Sequence, residues 1–468
     1  MTSSFSLPPS PFLSRRNILK SLSCGFGYAA FAAMAHEAAA KEQPLNPLAP
    51  KPAHFPGSAK RVIFFCMRGG PSHVDTFDYR PGLKTHEGKA PGSVGVGLNN
   101  QNGRKLMPSP WEFKKHGESG IEISDLYPHL SQHADELCLI NGAWTDIPNH
   151  PQALVKLHTG NFQFVRPSMG AWALYGLGTE NQDLPGFITM KPPARLGGTQ
   201  NYGSAFLPAM FQGTALGVNG NVGIGNIENK TVSTPQQRKQ IDLLQKMNKG
   251  LADRQPQNSE IDGIIESYEL AFRMQAAVPR VMDISEETQQ TQKAYGIGSG
   301  QSDDFGRMCL MARRFAESGV RFIELTHEGW DQHGGLKAKL ESNCGQTDQP
   351  MAALIADLKE RDMLKDTLLV WSGEFGRTPA VKKDDGRDHN ATGFSMWMAG
   401  GGVKGGQRYG ETDEFGIAAV KDKFHTHDFH ATMLHLLGFD HKLLTYRYAG
   451  RDFRLTDVSG SVADKIIA

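Results

Sequence analysis

The side chains of this sequence best suited to chemistry lie in a polar segment between two apolar runs. Thr367–Trp371 has the pattern of a buried strand, and Phe394–Ala399 has the pattern of the next one. Asp388 and His389 occupy adjacent positions between them, where both can offer lone pairs to one divalent cation or to two neighbouring ones. Ligands of open α/β sheets bind outside the carboxyl ends of strands, so the pair is a candidate metal site. An ordinary loop ion pair is the alternative that these two residues alone leave open.

Similar polar loops follow other apolar runs of the chain. Their candidate side chains are Ser72, His73 and Asp75, then Asn149 and His150, then His327, Asp331 and His333, then Glu374 and Arg377, and finally His425 and His427 at the start of a helix. With His389, these loops hold seven of the 17 histidines, which turn chemistry does not predict. If the strands are parallel, all of the loops lie on one edge of the sheet. We therefore predict that one metal site brings together Asp331, His333, Asp388, His389 and His427, with Asp75 as a further candidate ligand.

Strand and helix patterns alternate along most of the chain, which predicts how these loops are positioned. Val62–Met67 is continuous and apolar, which is typical of a parallel strand covered on both faces. The alternation predicts an α/β protein with a three-layer α/β/α architecture around a mostly parallel sheet. From residue 234 to about residue 300 the pattern becomes helical, and Ile261, Tyr268 and Phe272 fall on one face of a predicted insertion that packs on the sheet. Asp428 is predicted to be the N-cap of a late helix.

The N-terminal segment has the pattern of an export signal. Arg15 and Arg16 precede a weakly apolar stretch rich in Ala and Gly, and Ala38–Ala40 supplies small residues for cleavage. The apolar stretch is too short to span a bilayer, so no stable transmembrane anchor is expected. We predict a signal of the twin-arginine (Tat) type over residues 1–40, a linker over residues 41–58, and a periplasmic or otherwise exported domain over residues 59–468. A short anchor that is never cleaved is the alternative.

Composition excludes two classes of partner and one class of fold. The chain has 50 Lys and Arg against 49 Asp and Glu, and removal of residues 1–40 takes away three bases and one acid, which leaves a nearly neutral domain. Neither nucleic acid nor an anionic membrane is therefore expected as a partner. Cys66, Cys138 and Cys309 lie in apolar patterns without metal-binding spacing, so buried free thiols are expected rather than a disulfide framework.

Several short segments, in order along the chain, resemble the bacterial family catalogued as domain of unknown function 1501. These segments are residues 68–72 (RGGPS), 166–172 (RPSMGAW), 329–333 (GWDQH), 373–379 (GEFGRTP), 386–389 (GRDH) and 450–454 (GRDFR). The family is grouped by fold with sulfatases and alkaline phosphatases, which implies one or two divalent metals at the carboxyl edge of the sheet beside a Ser, Thr or modified Cys nucleophile. Asp388 and His389 resemble the paired ligands of that superfamily, and His427 resembles its late histidine.

The resemblance implies an exported, metal-dependent hydrolase that acts on a small anionic or sugar ester of sulfate or phosphate. The metal is expected to be zinc, calcium or magnesium, and Arg377 or Arg68 is expected to hold an anionic oxygen. Where the superfamily has a modified Cys ahead of Thr-Gly, this chain has His150. Ser72 and Ser168 are therefore the candidate nucleophiles, although Ser168 is equally well explained as a helix N-cap, and His150 and Glu374 are further catalytic candidates. A non-catalytic binding protein that keeps the fold but has lost the nucleophile is the alternative.

Overall fold

A mixed sheet of nine strands lies at the centre of the protein within the part of the chain that the structure describes. The structure is a computed structural model, and it describes residues 47–94, 103–217, 231–252, 254, 259–298, 300–381 and 385–468. The strands of the sheet are β1 Arg61–Met67, β2 Leu137–Trp144, β3 Phe187–Met190, β4 Thr214–Leu216, β5 Phe322–His327, β6 Thr367–Ser372, β7 Phe394–Ala399, β8 Gln407–Tyr409 and β9 Phe424–His425. The predicted export signal, residues 1–40, lies outside the described residues.

Strand order and direction bring the polar loops to one edge. The order across the sheet is β8, β2, β7, β6, β1, β5, β3, β4. Strand β8 pairs with the first half of β2, and β9 pairs with the end of β2. All pairings are parallel except those of β7, which runs antiparallel to both β6 and β2. Because β7 runs in the opposite direction, the loop that precedes it lies at the edge where the other strands end. The mostly parallel sheet predicted from the sequence is confirmed.

Alternation along β1 shows that both faces of the sheet are covered. Ile63, Phe65 and Met67 pack into one hydrophobic cluster, whereas Phe64 and Cys66 pack into a second cluster on the other face. The helices are α1 His150–Thr159, α2 Met169–Leu177, α3 Thr234–Ala252, α4 Ser259–Met282, α5 Asp303–Glu317, α6 Leu336–Glu360 and α7 Thr426–Leu436. Helices α5 and α6 contribute to the first cluster, and α1, α2 and α7 contribute to the second. This arrangement is the three-layer α/β/α architecture that the sequence predicts.

Short elements complete the chain between these strands and helices. The short helices are His73–Thr76, Gly82–Thr85 and Gln289–Ala294. The two-stranded ladders pair Lys105–Leu106 with Ala380–Val381, Phe113–His116 with Ile121–Ser124, Gly376–Arg377 with His389–Asn390, Glu411–Thr412 with Ala419–Lys421, and Tyr446–Tyr448 with Arg451–Phe453. Among the described residues, no helix combines the length and the apolar character needed to cross a membrane.

Local expectations from the sequence are met in part. The helical segment that begins near residue 234 forms α3 and α4, but Tyr268 is exposed, so the predicted apolar face of α4 is only partly covered. Asp428 is not the N-cap of α7: His425 is the N-cap, and Asp428 accepts a hydrogen bond from the His425 backbone N–H three residues earlier. The four cysteines of the described chain are buried free thiols, which confirms the prediction made for Cys66, Cys138 and Cys309.

Candidate metal centre

Four ligand atoms from three separate loops converge at the carboxyl edge of the sheet. The Oδ1 atom of Asp331 lies 3.2 Å from Nε2 of His150, 3.0 Å from Nε2 of His333 and 3.3 Å from Nε2 of His389. The Nε2 atoms of His333 and His389 are 2.9 Å apart. Zinc bound tetrahedrally at its usual bond lengths keeps its ligand atoms about 3.3 Å apart. The ligand atoms of His150, Asp331 and His389 all lie within 4.8 Å of one another, so these three residues form the candidate centre, and Nε2 of His333 adjoins it beside Asp331 and His389. We call these four residues the His3Asp cluster.

Each imidazole of the His3Asp cluster has its other nitrogen tied to an acceptor. Nδ1 of His150 donates to Glu374 Oε1 at 2.5 Å, Nδ1 of His333 donates to Asp388 Oδ1 at 2.8 Å, and Nδ1 of His389 donates to the Pro148 carbonyl at 2.7 Å. Carboxylates and carbonyls of this kind fix the tautomer and the ring orientation of metal-binding histidines. The Nε2 lone pairs of all three rings are therefore directed inward.

The inward direction of the lone pairs indicates whether the cluster can bind a cation. With Nδ1 protonated in every ring, neutral imidazoles present only lone pairs to one another and to the Asp331 carboxylate. His150 Nε2 is buried and not aligned for a hydrogen bond. Such an arrangement is repulsive unless extra protons or a cation occupy the centre. The chemistry of the donors, three imidazoles and one carboxylate, fits a divalent transition ion such as zinc better than calcium or magnesium, which prefer oxygen ligands.

Backbone geometry explains why these residues meet. The ladder between Gly376–Arg377 and His389–Asn390 pairs Arg377 directly with His389, and His150 is the first residue of α1. Gly69 has a φ of +118°, and a Cβ atom there would lie 2.4 Å from the Asp331 backbone nitrogen. The loop after β1 can therefore approach the loop after β5 only with glycine at this position. Glycine at position 69 thus sets the position of Asp331.

Arg377 and Glu374 support the cluster rather than face a substrate. The Arg377 guanidinium is fully buried, and it donates to the carbonyls of Gly69, Gly70 and Arg387 and to Asp331 Oδ1. Both carboxylate oxygens of Glu374 accept from the Gly69 backbone N–H at 3.1 Å. In this conformation the Arg377 guanidinium donates within the protein, so its role of holding an anionic oxygen of a substrate stays a prediction.

The charges around the cluster shift the pKa values of its members. Burial alone would raise the pKa of Asp331, but the imidazoles of His150 and His389 and the Arg377 charge outweigh it and hold that pKa far below its usual range. Burial would lower the pKa of His150, but Asp331 and Glu374 outweigh it and raise the pKa to about 9. The pKa of Asp388 is lowered, because Arg104 and His333 outweigh the effect of burial. The Asp331 and Asp388 carboxylates are therefore ionised at neutral pH.

Two predicted site residues lie in a different, fully buried cluster. Asp75 forms a two-pronged ion pair with Arg387, at 2.7 Å to Nε and 3.0 Å to Nη2, and it accepts a hydrogen bond from the Ser72 hydroxyl at 2.5 Å. Ser72, Asp75 and the Arg387 side chain are completely buried. As a correction to the sequence prediction, Asp75 is placed as the partner of a buried arginine, and Ser72 is placed where no solvent reaches it.

His427 also lies apart from the His3Asp cluster. Its Nε2 donates to the Gly160 carbonyl at 2.7 Å, and its ring packs 5.0 Å from the ring of His425. Burial lowers the pKa of His427 to about 4 despite that hydrogen bond. The predicted convergence of His427 with the other ligands is therefore not found, because α7 directs the side chain toward the end of α1.

Arg68 is the other residue predicted to hold an anionic oxygen. In the structure it forms an ion pair with Glu328.

Asp388 and three other groups have roles that sequence patterns did not reveal. Asp388 uses one oxygen for His333 and the other for Arg104, so it orients a ligand and is not itself among the converging atoms. The buried ring of Phe375 lies 4.7 Å from the rings of both His150 and His389 and packs against them. The Pro148 carbonyl anchors His389. Of Arg104, Phe375 and Pro148, only Phe375, which is adjacent to Glu374 in the segment 373–379, gave any signal in the sequence.

Comparison with solved structures returns proteins of low sequence identity. The lipoteichoic acid synthase LtaP from Listeria monocytogenes is 9% identical, with 87% of this chain and 78% of that chain covered and a TM-score of 0.37. A protein in the alkaline phosphatase superfamily from Vibrio parahaemolyticus is 11% identical, with 86% and 73% covered and a TM-score of 0.35. The PsFucS1 sulfatase from Pseudoalteromonas sp. is 12% identical, with 82% and 69% covered and a TM-score of 0.32.

Sequence comparison gives a clearer result at the level of the family. No curated protein matches the chain. The model of the family described as protein of unknown function (DUF1501) matches residues 59–467, which include every member of the His3Asp cluster. Since this match spans nearly all of the described fold, the chain belongs to the DUF1501 family.

Proposed function

We propose that this protein is an exported, metal-dependent hydrolase that acts on a sulfate or phosphate ester. The observation that carries the proposal is the convergence of three Nε2 atoms on Asp331 Oδ1, with each Nδ1 tied to an acceptor. A divalent ion held there supplies Lewis acidity, which polarises an ester oxygen and makes water a stronger acid. His150, His333, His389 and Asp331 are the residues that would hold it.

The exposure of the cluster supports access for a substrate from one side. The side chains of Asp331 and His333 are 45% and 47% exposed, whereas His150 is 12% exposed and Glu374 is fully buried. The ligands thus contact buried groups on the side of His150 and Glu374 and are open to solvent on the side of Asp331 and His333. A substrate oxygen could approach beside His333 without displacing the buried groups.

Local charge favours an anionic substrate once a cation is bound. With the three imidazoles neutral, as metal ligation requires, the carboxylates of Asp331, Glu374 and Asp388 and the guanidinium groups of Arg377 and Arg104 leave one net negative charge. A divalent ion reverses that sign, so the loaded site attracts an ester that carries negative charge. Together with the resemblance of Asp388 and His389 to the paired ligands of the sulfatase and alkaline phosphatase superfamily, this supports a small anionic or sugar ester as the substrate class.

A second function, metal-dependent binding without catalysis, is favoured by the position of Ser72. Its hydroxyl is buried and donates to Asp75, so the predicted nucleophile is not presented to a ligand. A hydrolase built on the His3Asp cluster would then use water as the nucleophile. A binding protein would use the same ion to hold the ester without cleaving it.

Turnover and metal content measured together distinguish the two functions. The purified mature protein would be tested on a panel of aryl sulfates and aryl phosphates, beside His389→Ala and beside His129→Ala, which replaces an exposed histidine outside the cluster. The hydrolase proposal expects turnover that is lost in His389→Ala together with the metal and kept in His129→Ala. Bound metal without turnover on any ester would instead support the binding protein.

The export part of the proposal rests on the sequence alone. Arg15 and Arg16 precede an apolar stretch in the pattern read by the Tat machinery, which exports folded proteins. Folding before export would allow the ion to be taken up in the cytoplasm. Periplasmic delivery is therefore proposed for the mature domain.

A further inference from the structure

A second group of potential metal ligands lies inside the core, separate from the His3Asp cluster. Cys66 of β1, His158 of α1 and Glu324 of β5 direct one ligand atom each toward a common point, and these atoms all lie within 4.8 Å of one another. All three residues are at most 1% exposed. The spacing of these residues in the sequence gives no sign of the group, because three distant elements supply it.

Hydrogen bonds around the group prepare His158 and Glu324 as ligands. Nδ1 of His158 donates to the Leu154 carbonyl at 2.8 Å, which leaves the lone pair of a neutral ring on Nε2. Glu324 Oε1 accepts from Thr189 Oγ1 at 3.3 Å and from Thr326 Oγ1 at 3.4 Å. The outer atoms of both residues are thus occupied, which is the pattern that orients metal ligands in proteins.

The inner atoms of the two residues face each other. His158 Nε2 and Glu324 Oε2 lie 3.2 Å apart as a fully buried pair, ionic when the ring is protonated, but they form no well-aligned hydrogen bond. A buried pair without that hydrogen bond is costly, and a cation in place of the ring proton would satisfy both atoms. A cation placed there would accept both lone pairs and reach the Cys66 sulfur.

We propose that Cys66, His158 and Glu324 form a structural site for a zinc-type transition ion. Thiolate and imidazole are soft and borderline ligands that select such ions over calcium and magnesium. The thiolate and the carboxylate together balance a divalent charge, so the occupied site is neutral in the core. Binding from the neutral thiol and the imidazolium–carboxylate pair releases two protons for each ion.

The site has a structural consequence for the exposed cluster. His150 and His158 both belong to α1, eight residues or about 12 Å apart along the helix axis. An ion held by His158 would fasten α1 to β1 and β5, which fixes the helix whose first residue is His150. Because the site is fully buried, the ion must enter before the chain closes around it.

Spectroscopy of a thiolate-bound ion tests this site independently of the proposed function, because the His3Asp cluster contains no sulfur ligand. The full mature chain would be expressed in medium supplemented with cobalt, so that the ion is present during folding. We expect thiolate-to-cobalt charge-transfer absorption in the near ultraviolet for the wild type and its loss in Cys66→Ser. Cys309→Ser, which removes a buried thiol in the opposite layer, should keep the absorption.

Two further measurements decide the result if Cys66→Ser does not fold. X-ray absorption at the zinc edge of the zinc-loaded wild type should show one sulfur at about 2.3 Å. In the double variant His333→Ala and His389→Ala, the thiolate signal should persist while total bound metal falls. Absence of any sulfur ligand in the loaded wild type, or an unchanged charge-transfer band in folded Cys66→Ser, would overturn the proposal.

Discussion

Nδ1 of His150 donates a 2.5 Å hydrogen bond to Glu374 Oε1, and the same carboxylate accepts the backbone N–H of Gly69. One buried side chain therefore fixes both the tautomer of a candidate ligand and the loop that follows β1. A substitution at Glu374 should therefore lower metal affinity more than it lowers the stability of the fold.

Glu374→Gln is expected to weaken metal binding by about 10-fold to 100-fold, because an amide can donate to His150 and so select the wrong tautomer. Metal affinity measured by competition with a chelator checks this expectation. Glu328→Gln is the matched control, since Glu328 is about half exposed and pairs with Arg68. Equal affinities for Glu374→Gln and the wild type would show that the carboxylate does not orient a ligand.

Gly69→Ala is expected to lose bound metal and to destabilise the protein, because the new Cβ would lie 2.4 Å from the Asp331 nitrogen. Gly88→Ala is the control, since Gly88 also has a positive φ but has nothing within 4 Å of its added Cβ. Backbone strain alone costs about 1 to 3 kcal/mol. Urea unfolding and elemental analysis should therefore separate the two variants, and equal metal loss in both would contradict the close-approach argument.

Asp75→Asn is expected to lower the free energy of unfolding by about 3 to 5 kcal/mol, because it leaves the buried Arg387 charge without its partner. Metal content should stay unchanged in the folded fraction. A stable Asp75→Asn protein that has lost its metal would return Asp75 to the ligand set that the sequence suggested. Chemical denaturation combined with elemental analysis measures both quantities on one sample.

The strands could be predicted where the residues of the strand itself carry the signal. Continuous apolar runs identified β1, β6 and β7, because strands covered on both faces need apolar side chains at every position. The direction of β7 could not be predicted, since an apolar run has the same pattern in both directions. That direction is nevertheless what returns His389 to the edge where β5 and β6 end.

The sequence predicted which residues belong to the candidate site better than it predicted what each of them does there. Residue type and loop position pointed to Asp331, His333 and His389, but adjacency in sequence could not show that Asp388 faces outward to Arg104. The pairing of Asp75 with Arg387 joins residues 312 positions apart and leaves no local pattern. His427 was misplaced because the helix begins one residue after His425 and turns the ring toward Gly160.

The export prediction is tested by replacing Arg15 and Arg16 with Lys. These substitutions keep the positive charge but remove the twin-arginine pattern, so the precursor should remain in the cytoplasm. Lys20→Arg is the control and should leave export unchanged. Cell fractionation followed by immunoblotting measures the outcome, and normal export of the double-lysine variant would reject the Tat interpretation.

The most direct test of the central claim is an anomalous difference map, collected at the absorption edge of the metal that copurifies with the protein. The account predicts a peak about 2.0 to 2.2 Å from Nε2 of His150, His333 and His389 and from Oδ1 of Asp331. Asp388 should lie outside that shell, bonded to His333. A crystal of metal-containing protein with no peak among these four atoms, or with the ion held by Asp388 and His427 instead, would contradict the account.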